Sequence, residues 1–110
     1  YAAVIDLRGT DEKRGYDEAG RVQELGMDYV SLPVVGRDGI SFDNATKLDA
    51  LIEQYDAPVL VHCGSGNRVG ALLALRESLA GADVEAALEL GRSAGLTRLE
   101  IIVKERLNER

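Results

Sequence analysis

The chain has 110 residues, 45% of them hydrophobic, which suits a single domain over residues 1–110 with a real core. Thirteen Lys and Arg face nineteen Asp and Glu, a net charge of −6, so neither nucleic acid nor an anionic membrane is an expected partner, and any anion site has to be built locally. One cysteine and one histidine exclude an internal disulfide and a multi-cysteine metal site.

Ala2 to Leu7 reads as a buried strand, followed by the turn-rich Arg8-Gly9-Thr10 and the charged run Asp11-Glu12-Lys13-Arg14. A helix is expected from an Asp17 N-cap to Leu25, stopped by Gly26, and a second strand from Met27 to Val34, with Pro33 marking its end. Val35-Gly36-Arg37-Asp38-Gly39 reads as a loop, its two glycines suggesting a mobile flap. The next helix runs from Asp43, taken as its cap, to Tyr55, with Ala45, Leu48, Leu51 and Ile52 on one face. Pro58 to Val61 is the third strand. Helices follow over Val69–Ala80, stopped by Gly81, and Val84–Ala94, capped by Asp83 and stopped by Gly95. A last helix after Thr97 carries a Thr97/Glu100 capping box and the apolar stripe Leu99, Ile102, Val103 and Leu107. Strands alternating with helices predict a small three-layer α/β domain with a mostly parallel central sheet flanked by helices.

Between the third strand and the next helix lies His62-Cys63-Gly64-Ser65-Gly66-Asn67-Arg68-Val69-Gly70, which holds both the cysteine and the histidine. On a central strand, this loop would lie at the carboxyl end of the sheet, where such folds bind ligands. Loop amides and a helix N-terminus favour thiolate over thiol, which makes Cys63 a candidate nucleophile. Gly64 and Gly66 allow successive N–H groups to turn inward as an anion nest, and Arg68 closes the ring with a charged fork. Ser65 and Asn67 either bond substrate oxygens or shape the turn. His62 points away from its neighbour in an extended strand, so its expected role is orientation by hydrogen bonds. Asp6 and Arg8, at the end of the first strand, are expected to form a structural pair near the sheet edge.

The loop resembles the signature of dual-specificity-type cysteine phosphatases, in which His-Cys, five residues and Arg cradle phosphate. Only four residues separate Cys63 from Arg68 here, a spacing similar to that of rhodanese sulfurtransferases, whose cysteine carries a single sulfane sulfur. The wider resemblance is to a bacterial phosphatase-like family, found alone or fused to persulfide-handling β-lactamase-like domains. It extends to Val4–Arg8, Gly26–Val34 and Gly91–Thr97, and implies a cysteine-dependent phosphatase-like fold. Val69 stands where the phosphatases carry Ser or Thr to assist hydrolysis of the phosphoenzyme, and valine donates no such bond; it also suits an apolar first helical turn. In the resembling phosphatases a loop aspartate protonates the leaving oxygen, and Asp38 occupies roughly that position. Arg37 beside it is either an attractor of anionic donors or an ordinary exposed arginine.

The expectation from these features is a sulfurtransferase. Cys63 would take sulfane sulfur from thiosulfate or a small persulfide as a persulfide, Arg68 and the loop would hold the anion, and a small thiol would accept the sulfur. No metal or organic cofactor is needed, and a fused or separate persulfide-handling protein is a partner the resemblance implies. The alternatives are a tyrosine- or dual-specificity-type phosphatase with Asp38 as general acid, and a non-catalytic anion- or redox-sensing module. The expected compartment is the cytoplasm, or the periplasm for a chain that has shed an export signal.

Overall fold

A computed structural model describes residues 2–9, 18–63 and 66–109. Three short strands, β1 (Ala3–Asp6), β2 (Asp28–Ser31) and β3 (Val59–His62), form a parallel sheet in the order β2-β1-β3. Ala3, Val4, Ile5 and Asp6 pair in register with Asp28 to Ser31 on one side and with Val59 to His62 on the other. All four β1 residues are buried, whereas β2 and β3 are half-exposed, as befits the outer strands. Around the sheet lie α1 (Glu18–Glu24), α2 (Gly36–Gly39), α3 (Phe42–Glu53), α4 (Asn67–Leu79), α5 (Val84–Ser93) and α6 (Glu100–Asn108). The small α/β domain with a parallel sheet is the one expected. The expected Asp17 cap and the Asp11–Arg14 run lie outside the described residues.

The core joins Ile5 and Leu7 to Val34, Ile40, Leu48, Leu72, Leu75, Leu88 and Val103. Helix α4 is its organising element, because it packs against α3, α5 and α6 and buries Val69, Gly70, Ala71, Leu72, Ala74 and Leu75. The predicted α6 stripe also packs there: Val103 and Leu107 are buried, and Leu99 and Ile102 lie partly buried against the cluster. No helix among the described residues is long and apolar enough to cross a membrane.

Five expectations need correcting. The strand leading to Cys63 is an outer strand of the described sheet rather than a central one, because β1 takes the middle. Asp6 and Arg8 do pair, at 3.0 Å from Nε to Oδ1, but they leave that middle strand and do not sit near an edge. The Asp6 carboxylate is fully buried and also accepts from the Arg8 backbone N–H and the Tyr29 hydroxyl, so its charge is offset by several donors. Ser41, not Asp43, caps α3, its Oγ accepting from the Asn44 N–H at 3.1 Å, while Asp43 lies in the first turn. No Thr97/Glu100 box forms: Leu99 is the N-cap of α6 without a side-chain bond, and Glu100 turns to Arg92 and Lys104. The fifth concerns residues 36–39, which form the single helical turn α2 in place of a loop.

Candidate active site

The site is assembled where β3 ends and α4 begins. The Leu7 N–H donates to the His62 carbonyl at 2.8 Å, carrying the pairing with β1 up to the residue before Cys63. Cys63 follows, a free thiol, partly exposed and packed against the apolar cluster. The chain turns back through Gly66, whose φ of +84° is the left-handed conformation that side chains rarely adopt. This turn aims the Gly66 N–H at Cys63 Sγ, 3.1 Å away. The sulfur thus has a backbone donor and lies beside the positive end of a 13-residue helix with no acidic residue in its first turn, an environment suited to a bound anion. Gly64 and Ser65, expected to contribute to the anion nest, lie outside the described residues.

Asn67 and Arg68 diverge from the start of α4. The Asn67 side chain is buried, and its Oδ1 accepts from the N–H groups of Thr97 (3.0 Å) and Leu99 (3.3 Å). That carbonyl therefore ties the start of α4 to the segment entering α6, a role different from either of the two expected for Asn67. Arg68 Nη1 donates to the Val34 carbonyl at 3.1 Å, which draws the segment after Pro33 toward the cysteine loop. Val69 is buried in the core, consistent with its apolar reading. His62 is half-buried and stands opposite Asp6 in the β1–β3 register.

Asp38 is exposed on α2, the turn that follows Val34. The flap expected here is tethered: Gly39 packs closely on Val34, Asn44 Nδ2 donates to the Gly39 carbonyl at 2.9 Å, and two further bonds arrive from Arg106 on α6. Arg37 does not stand ready for an anionic donor, because its guanidinium pairs with Glu105. The structure thus gathers Cys63, Gly66, Asn67 and Arg68 at one helix start, and the Arg68–Val34 bond reaches the segment that leads into α2, where Asp38 is exposed. Among the described residues, no group of three or more His, Cys, Asp or Glu side chains is placed to hold a metal ion.

Sequence reasoning missed a second tier of the site. A Cβ on Gly70 would lie 2.4 Å from the Leu96 nitrogen and 2.6 Å from the Gly91 carbonyl oxygen, and one on Gly95 would lie 2.8 Å from the Gly66 oxygen. The α5–α6 turn is therefore seated directly on the first turn of α4. The signal was present as two glycine pairs four residues apart, Gly66/Gly70 and Gly91/Gly95.

The family model for the phosphatase-like domain of β-lactamase hydrolase-like protein matches residues 1–82. Among solved structures, a candidate phosphatase from Neisseria meningitidis is 25% identical, with a TM-score of 0.77 over 98% of this chain and 78% of that one. A candidate phosphatase from Shewanella putrefaciens is 24% identical, with a TM-score of 0.67 over 97% and 69% of the two chains. Tk-PTP in its active form is 22% identical, with a TM-score of 0.68 over 100% and 80%. No curated protein matches the chain.

Proposed function

The chain belongs to the phosphatase-like domain family of β-lactamase hydrolase-like protein, and from that membership we propose that it is a cysteine-dependent phosphatase with Cys63 as nucleophile. The observation that carries this reading is the Gly66 N–H on Cys63 Sγ at the junction of a parallel strand and a helix N-terminus. Resemblance in fold to phosphatases supports the choice of phosphomonoesters as substrates.

In this reading the Cys63 thiolate attacks phosphorus, an S–P bond forms, and the P–O bond to the leaving group breaks. The leaving oxygen takes its proton from the Asp38 carboxyl group. Water then attacks the phosphocysteine, releasing inorganic phosphate and the thiolate. Arg68 and the amides at the start of α4 hold the phosphoryl oxygens throughout.

Sulfur transfer is the second reading, favoured by two specific features: the four-residue spacing from Cys63 to Arg68, and the buried Val69, which offers no hydroxyl for phosphoenzyme hydrolysis. Here the thiolate attacks the outer sulfur of thiosulfate, the S–S bond breaks, and sulfite leaves with the electron pair. A small thiolate then removes the sulfur from the Cys63 persulfide.

Intact mass separates the two, because Cys63 is the chain's single thiol. After rapid quench from an aryl phosphate, the expected result is a phosphoryl adduct that is absent in Cys63→Ser, together with phosphate release. A gain of one sulfur from thiosulfate, reversed by a small thiol and unaccompanied by phosphoryl transfer, would replace the first reading with the second.

A further inference from the structure

We propose that Arg106, on α6, is a positioning residue for Asp38, acting through the backbone of α2; this rests on the reading of Asp38 as general acid. A helix of four residues has no stability of its own, since nucleation fixes several residues for a single hydrogen bond. Within α2 the Ile40 N–H reaches the Arg37 carbonyl at 3.1 Å, and its other carbonyls need partners from elsewhere.

Arg106 adds a fork of donors from outside the turn, one to the Arg37 carbonyl that Ile40 already bonds and one to the carbonyl of Ile40 itself. Its Nε donates to the Ile40 carbonyl at 2.7 Å and its Nη2 to the Arg37 carbonyl at 3.1 Å, so one guanidinium plane spans the C-terminal end of the turn. Arg106 is 66 and 69 positions away from these two residues in sequence, so the fork is a long-range tether on the turn. The Arg106 side chain is only 17% exposed, with Glu109 3.5 Å from Nη1. A positive charge at a helix C-terminus also complements the partial negative charge of the carbonyls there. The adjoining Arg37–Glu105 pair joins the same two elements.

The arrangement has two anchored ends. Arg68 holds the Val34 carbonyl just before α2 and Arg106 holds the carbonyls of residues 37 and 40, so Asp38 is carried on a short segment clamped from the nucleophile's helix and from α6. Acid catalysis depends on donor placement at the scale of a hydrogen bond, and a misplacement near 1 Å costs up to about a hundredfold in rate. Lysine cannot replace this fork, because an ammonium is a point charge that does not present two coplanar donors.

Leaving-group dependence is the readout, since an acid matters most when the departing oxygen is strongly basic. Phenyl phosphate and 2,4-dinitrophenyl phosphate would be compared in the whole chain for wild type, Asp38→Ala, Arg106→Met, Arg106→Lys and the Asp38→Ala/Arg106→Met double variant. Support is a drop of about tenfold or more in kcat/KM on phenyl phosphate, the parameter that ends at P–O cleavage, for Arg106→Met and a smaller one for Arg106→Lys. Turnover of the dinitrophenyl ester stays near wild type, and the double variant is no slower than Asp38→Ala alone. Faster amide exchange over residues 36–41 in Arg106→Lys, with an unchanged melting temperature, supports it independently of activity. Equal losses on both esters, or losses that multiply with those of Asp38→Ala, would overturn it and make Arg106 a general structural residue. Should Asp38→Ala leave the leaving-group dependence unaltered, or should wild type hydrolyse neither ester, the reading of Asp38 itself fails and the inference with it.

Discussion

Asn67 combines two jobs at one position. It begins the helix whose start faces Cys63, and its buried Oδ1 satisfies the backbone N–H groups of Thr97 and Leu99. Asn67→Ala leaves those donors without their acceptor, and the expected cost is about 1–3 kcal/mol in denaturant unfolding, accompanied by lower turnover as the start of α4 loosens. Gly70 tests the same tier from the opposite direction. Gly70→Ala forces a methyl group against the Leu96 nitrogen and the Gly91 carbonyl, both backbone atoms that cannot swing aside. The expected loss is about 3 kcal/mol, read as a lower unfolding midpoint with an unchanged slope. The placement of Cys63 and Arg68 around the start of a helix was legible in sequence because glycines follow an apolar strand and precede an apolar helical run locally. The Asn67 bridge was not, since its partners lie 30 and 32 residues away.

At the scale of elements, the contrast between α5 and α2 shows what local sequence can reveal. Asp83 capping Ala86 and Gly95 following the helix end are contacts within a few residues, so both ends of α5 could be read directly. Helix α2 depends on donors from Asn44 and Arg106, and without those partners a Gly-Arg-Asp-Gly stretch reads as a turn. The α5–α6 pair carries its own pH signature. Hydrogen bonds from Arg92 and then Lys104 hold the Glu100 carboxyl down at about 2, against an ordinary value of 4.5. A depressed carboxylate stabilises the fold fully above its unfolded value, so this contribution is complete above pH 4.5 and fades as pH falls toward 2. A carboxylate NMR titration of Glu100 should show the low midpoint, and Arg92→Gln should return it toward 4.5 while weakening the acid-range pH dependence of stability. By the same linkage, whatever stability Arg92→Gln removes is removed in full above pH 4.5, and the gap from wild type closes as pH falls toward 2.

For the whole molecule, the α/β class followed from the alternation of apolar strands with capped helices, and the parallel sheet agrees with it. Strand order did not follow, because three short apolar runs of similar length give no intrinsic ranking. Burial decides it: β1 is sealed on both sides and carries a buried, multiply bonded Asp6, whereas Leu60 of β3 is 41% exposed. The overall charge of −6 locates no anion site, and the proposed one rests on local groups, Arg68 and the start of α4.

The Asn67 bridge also sets a timetable. During synthesis, every strand of the described sheet has been made once His62 is added, and Cys63 follows immediately. The two backbone donors that fasten the start of α4, Thr97 and Leu99, are added more than thirty residues after Cys63, and Arg106 later still. Contacts between such distant positions form only after the intervening chain exists and its loop entropy has been overcome. The Cys63 sulfur is thus delivered early and its surroundings are completed last, so a growing chain carries a thiol long before the contacts around it exist.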